Sequence, residues 1–132
     1  MIRIFIAALV FICFQNLGAQ PVKIIFDTDM ESDVDDVAAL AMLHGYANQG
    51  EAEILATVSS SLNPWAAPTI DVVNTWYGRA DIPIGNVKTF GLYRNSKYAK
   101  VISEKYTQDI GLGEWAPDAV NVYRQILSEQ PD

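Results

Sequence analysis

The sequence predicts an α/β fold: a mostly parallel, open sheet flanked by helices. Two observations carry that expectation. Short β-branched and aromatic runs alternate with stretches of good helix formers, in the order strand, helix, strand, helix, strand. A dense acidic stretch also lies between the first strand and the first helix, where open α/β sheets build their ligand sites.

The first strand is read at Val22 to Phe26, a buried Val-Lys-Ile-Ile-Phe run. The helix after the acidic stretch begins at Val37-Ala38-Ala39-Leu40. Its apolar residues cover most of its circumference, so it is expected to be well buried and to stop near Gly45 or Gly50. Glu53 to Ser59 reads as the second strand, followed by a polar loop from Ser59 to Pro64. Ala66 to Tyr77 suits a helix that Gly78 is placed to end. Ile82-Pro83-Ile84 opens a short third strand, whose first residues the proline sets outside the ladder or at an edge. Ser96 to Tyr106 is a helix capped by Asn95 or Ser96. The last helix is expected over Pro117 to Glu129, with Pro117 in its first turn and Ala119, Val120, Val122, Tyr123, Ile126 and Leu127 on one face.

Residues 1–19 have the order of a secretory signal: Arg3, an apolar run from Ile4 to Phe14, then small residues before Gln20. The run is short for a bilayer span. The chain is therefore expected to be exported, periplasmic or secreted, with no membrane attachment after cleavage and a mature domain over 20–132. The single cysteine, Cys13, lies in that leader, so no disulfide framework or thiolate site is expected afterwards. A net charge of −7 with no Lys/Arg cluster argues against a nucleic-acid partner. The alternation stops after a helix, so the chain is expected to be the N-terminal part of a longer domain.

Between Asp27 and Asp36 stand five aspartates and Glu31. Mutual repulsion makes such a loop costly unless protons or a cation offset it. Carboxylate oxygens suit calcium or magnesium. The bland alternative is a solvated loop in which Asp33 or Asp35 caps the next helix. An EF-hand is excluded, because counting from Asp27 its required glycine and glutamate positions hold Ser32 and Ala38. A haloacid dehalogenase-type phosphatase also begins strand-Asp-x-Asp, but it usually has Thr or Val where this chain has Glu31.

The stretch Ile24-Ile25-Phe26-Asp27-Thr28-Asp29, then Asp35-Asp36-Val37-Ala38-Ala39-Leu40, resembles the N-terminal motif of inosine-uridine type nucleoside hydrolases. Ala56-Thr57-Val58 and Asn74 to Gly85 are similar to the family's following elements, and the likeness covers most of Val22 to Gly85. It implies the Rossmann-like nucleoside hydrolase fold, truncated after its N-terminal part. It also implies cleavage of the N-glycosidic bond of ribonucleosides by a calcium-bound water, with a nucleoside as the small-molecule partner. By the same resemblance Asp29 is the general base and a calcium ligand, Asp36 and Asp27 are further metal ligands, and Asp35 and Asn63 bind the ribose. Asp33 competes with Asp35, and Ser60 and Ser61 compete with Asn63. Two departures stand out: the spacer from Asp29 to Asp35 is long, and Glu31 occupies a position where exported relatives usually have glycine. The alternative function is an exported nucleoside- or sugar-binding protein of the same fold without catalysis. A homo-oligomer is left open for the full-length protein. His44 reads as a partly buried or capping residue, and Trp65 and Trp76 as core packing in preference to the wall of a base pocket. The chain alone is expected to carry about half of a site and to be inactive.

Overall fold

The computed structural model describes residues 20–131. The leader expected at 1–19 lies outside them. Among the described residues no helix is long and apolar enough to cross a membrane.

Three parallel strands, β1 (Val22–Thr28), β2 (Ala52–Ser59) and β3 (Ile84–Asn86), form an open sheet in the order β1-β2-β3. The four helices are α1 (Asp35–Asn48), α2 (Ala66–Trp76), α3 (Ala99–Lys105) and α4 (Ala119–Ser128). The α/β class, the parallel sheet and the flanking helices agree with the sequence reading.

Two apolar layers sandwich the sheet. On one face Leu40 and Leu43 of α1 and Ala67 and Ile70 of α2 pack with Ile24, Phe26 and Ile84. On the other, Ala119, Val122 and Ile126 of α4 pack with Ile25, Leu55, Ala56 and Val58. The pairing of β1 with β2 steps from Ile24↔Ile54 to Ile25↔Ala56, leaving Leu55 as an extra residue. Such an insertion reverses the in/out alternation of the strand beyond it. That is why Ile54 joins the first layer while Leu55 and Ala56 both join the second. Gly85 has a packing role: a Cβ there would lie 2.9 Å from Ala119 Cα and 3.2 Å from Val122, so α4 rests directly on β3.

Four sequence expectations are corrected. β1 is not a fully buried strand but an edge strand, with Val22 64 % exposed, and it runs two residues further, taking Asp27 and Thr28 into the ladder. α1 is not well buried: only Leu40, Leu43 and His44 are enclosed, and Met42 and Tyr46 face outward. A helix apolar on every side leaves its neighbours to decide which side is covered, and here only one side has neighbours. Pro117 precedes α4 instead of opening its first turn. Asp118 is the cap, accepting from Val120 N at 2.8 Å and Asn121 N at 3.3 Å. Val120 and Leu127 lie on the open side of that helix. A fifth expectation shifts as well: the helix expected from Ser96 starts at Ala99, with Tyr98 in the cap position and no cap bond from its side chain. The remaining boundaries fall close to expectation. Gly50 and Gly78 follow α1 and α2 at φ +74°, the left-handed conformation that glycine adopts without a Cβ clash. Ser96 Oγ accepts from Tyr98 N and Ala99 N at the start of α3.

Candidate functional site

The acidic stretch leaves the C-terminal end of β1, the end at which parallel sheets present ligands. Thr28 is buried, and its Oγ1 accepts from Met30 N at 3.1 Å. Met30 then takes φ +45°, a left-handed turn that costs a non-glycine residue about 1 kcal/mol or more. Its side chain offsets that cost by entering the first apolar layer. The turn also sends Glu31 inward, to 2 % exposure.

Glu31 is the residue whose position the sequence did not foretell. Ser61 Oγ and Arg94 N, the latter at 3.0 Å, both donate to its Oε1. The carboxylate thus ties the acidic turn to the loop after β2 and to the segment before α3.

Asp29 and Asp36 are brought together, Asp29 from the end of β1 and Asp36 from the first turn of α1. Burial, then the hydrogen-bonding contact and charge of Asp36, then the charges of Glu31 and Asp33, push the Asp29 carboxyl up to about 6. Asp35 and Asp36 stand in the first turn of α1, where the helix dipole favours negative charge. Asp35 is exposed. The bland alternative of a capping aspartate is not what forms: Val34 occupies the cap position, no side chain caps α1, and Asp33 Oδ1 instead accepts from Ser32 Oγ.

Asp27 takes a different direction. Its Oδ2 accepts from the Tyr123 hydroxyl of α4 at 2.7 Å. Burial and the Asp27 carboxylate together raise the Tyr123 phenol to about 12. Asn63 is 4 % exposed and has both ends of its amide engaged: Nδ2 donates to Arg94 O at 2.8 Å and Oδ1 accepts from Trp65 N at 3.0 Å. Ser61 is committed to Glu31, whereas Ser60 stays partly open. The expected site residues therefore divide. Asp29 and Asp36 come together, Asp35 is exposed on the first turn of α1 without a side-chain partner among the described residues, Asp27 is held by Tyr123, and Asn63 braces the loop.

Calcium wants six to eight oxygens. Among the described residues no group of three or more His, Cys, Asp or Glu side chains is arranged to hold a metal ion. The carboxylates that act on each other here are Asp29 and Asp36, two hard oxygen donors, and every charge that bears on Asp29 is negative.

His44 is completely buried in mid-helix, neither partly buried nor a cap. Its ring stacks on Tyr77 with centroids 4.5 Å apart. Arg79 Nη1 donates to Nδ1 at 3.4 Å, so Nε2 carries the proton and donates to Asn74 Oδ1 at 2.9 Å. Asn74 Nδ2 in turn donates to Thr57 Oγ1 of β2 at 3.1 Å. This chain fastens α1 and α2 to the sheet and is remote from the acidic turn in its bonding. Trp65 is half-buried, with Lys100 Nζ 5.5 Å from the centre of its ring. Trp76 is 78 % exposed, which overturns its reading as core. It lines an apolar groove with Val37, Ala41, Ile102 and Tyr106.

Comparison with known proteins adds no assignment: no family model, no curated protein and no solved structure matches the chain.

Proposed function

We propose that the chain carries the nucleophile-activating half of a nucleoside hydrolase site of the inosine-uridine type, with the fold of that family. The observation that carries the reading is the meeting of Asp29 and Asp36 at the C-terminal end of β1. The motif resemblance predicts that these two residues share one centre, and a merely solvated loop would hold its charges apart.

Cleavage of an N-ribosidic bond needs a water deprotonated as it attacks the anomeric carbon, and a hold on the ribose hydroxyls. Asp29, with its affinity for protons near neutrality, is suited to take that proton. Asp36, whose contact and charge raise Asp29, would share the same centre. Asp35 would accept from a ribose hydroxyl, and its exposure on the first turn of α1 supports that role. Ser60 is the residue of the β2 loop left open for the same purpose, ahead of Asn63, whose amide is already satisfied. Calcium fits in part: Asp29 and Asp36 would hold it, Asp27 would first have to leave Tyr123, and the bound ion would supply positive charge that makes a water more acidic. Export, a nucleoside substrate and the calcium requirement all belong to this proposal.

The test is release of free base from inosine and from uridine by the protein expressed from its whole reading frame, with and without a calcium chelator. The proposal expects chelator-sensitive release that is lost in Asp29→Ala. A folded, calcium-loaded protein that cleaves neither nucleoside contradicts it.

A further inference from the structure

β1 leaves one side of the sheet open. Among the described residues β2 pairs with it on one side and no strand lies on the other. Val22 N donates to Glu51 O at 2.9 Å, and Thr28 O accepts from Ser60 N at 2.9 Å, so the even-numbered residues of the strand turn their backbone groups toward β2. These groups alternate sides along a strand, which leaves the N–H and C=O of Lys23, Ile25 and Asp27 pointing out of the sheet. Such an edge is a template for another strand unless a proline, a bulge or a cover blunts it. β1 contains no proline, the extra residue of its pairing belongs to β2, and the helices that cover the sheet sit over β2 and β3. Ile24, Ile25 and Phe26 are left only half-buried.

The edge is complementary to itself. A second copy of β1, laid antiparallel and centred on Ile25, sets Ile25 opposite Ile25, Lys23 opposite Asp27 and Ile24 opposite Phe26. Ile25 and the Lys23–Asp27 pairs are then the positions that exchange both backbone bonds, because those residues point outward. Opposite charges and apolar side chains directly across a ladder are the favourable pairs. The register is specific: a centre on Ile24 or on Phe26 sets a charge opposite Ile25, and a parallel copy in register sets lysine against lysine. Both charged groups have capacity to spare. Tyr123 occupies Asp27 Oδ2 and leaves Oδ1, and Lys23 Nζ gives one of its three protons to Gln130 Oε1 at 2.7 Å.

We infer that β1 is the interface of a two-fold dimer of this chain, its edge paired antiparallel about Ile25 with β1 of a second copy. The contact is the same patch on both copies, so it closes at two. It covers the half-buried apolar residues of the strand and brings the partner's Lys23 to Asp27, a positive charge at the acidic end of β1. The interface does not rest on the hydrolase reading.

The test is sedimentation equilibrium of the purified protein at concentrations up to about 1 mM, together with amide hydrogen exchange. A monomer–dimer equilibrium is expected. Lys23→Glu, at an exposed position, opposes like charges at both ends of the ladder and should weaken the dimer about tenfold or more. Asp27→Lys should do the same. An equal mixture of the two variants should restore the dimer, because every charged cross-strand pair is then again of opposite sign. The amides of Lys23, Ile25 and Asp27 should exchange more slowly as concentration rises, while those of Ile24 and Phe26, turned to β2, stay protected throughout. A protein that remains monomeric at the highest concentration, dimers that both variants leave intact, or a mixture that fails to reassociate would each overturn the inference. So would a monomer in which Lys23, Ile25 and Asp27 are protected at every concentration, because another segment of the same chain would then cover the edge.

Discussion

The Tyr123 hydroxyl of α4 donates to Asp27 Oδ2 at 2.7 Å, joining the last described helix to the strand end that carries the acidic turn. The bond lies at the surface, so Tyr123→Phe should cost about 1 kcal/mol in urea unfolding and leave the packing of α4 intact. The folded phenol titrates at about 12, above its ordinary value of 10. The stability this proton confers is therefore full below pH 10 and lost as pH rises through 12. Unfolding followed from pH 9 to 12 should show a decline in the wild type that Tyr123→Phe lacks. In a hydrolase assay the same variant frees Asp27, so a gain in calcium affinity is expected.

Asp29 changes stability with the opposite charge form. Its folded value of about 6 lies above the unfolded 3.8, so its favourable contribution is complete below pH 3.8 and lost as pH rises through 6. Asp29→Asn removes the repulsion from Asp36 permanently. At pH 7 without calcium it should stabilise the protein on the order of 1 kcal/mol, a figure already reduced for solvent screening. The gain should vanish near pH 4. Thermal unfolding of both proteins across that range checks it.

His44 produces the reverse slope. Burial, with Arg79 adding to it, lowers the ring below its usual 6.5 against the opposing bond to Asn74. The unfolded chain then takes up the proton first, so this contribution is lost as pH falls below 6.5. His44→Ala removes the stack on Tyr77 and orphans Asn74, a loss of about 3 kcal/mol by denaturant titration. The surviving protein should lose the acid-side decline that His44 causes.

Gly85 is expected to tolerate nothing larger. Gly85→Val would drive its side chain into Ala119 and Val122, destabilising the fold by about 1–3 kcal/mol without touching any carboxylate of the turn.

The chain's local signals were legible, and its long-range pairings were not. The β-branched composition of Glu53 to Ser59 and the glycines at 50 and 78 located β2 and the ends of α1 and α2. Pro83 correctly kept the first residues of the third strand out of the ladder. The exposed side of α1 was not readable, because apolar residues on all sides carry no direction. Of the site, the sequence showed Asp29 and Asp36 within one acidic stretch. It did not show the inward turn of Glu31, which depends on the left-handed Met30 and on Ser61 thirty residues away. The same holds for Asp27, whose partner is 96 residues distant, and for buried Asp71, whose Oδ2 accepts from Asp109 N at 2.7 Å to pin the loop before α4. Sequence proximity offers no signal for such bonds.

The proposed function requires Asp29 and Asp36 to form one centre that a cation completes. The direct measurement is the titration of the Asp29 carboxyl carbon by NMR from pH 3 to 8, first without calcium and then with it. The account predicts a midpoint near 6 without calcium, shifted downward by calcium because the cation favours the charged form, and a lowered midpoint in Asp36→Asn even without the ion. A midpoint at the ordinary carboxylate value that neither calcium nor the loss of Asp36 moves would contradict it.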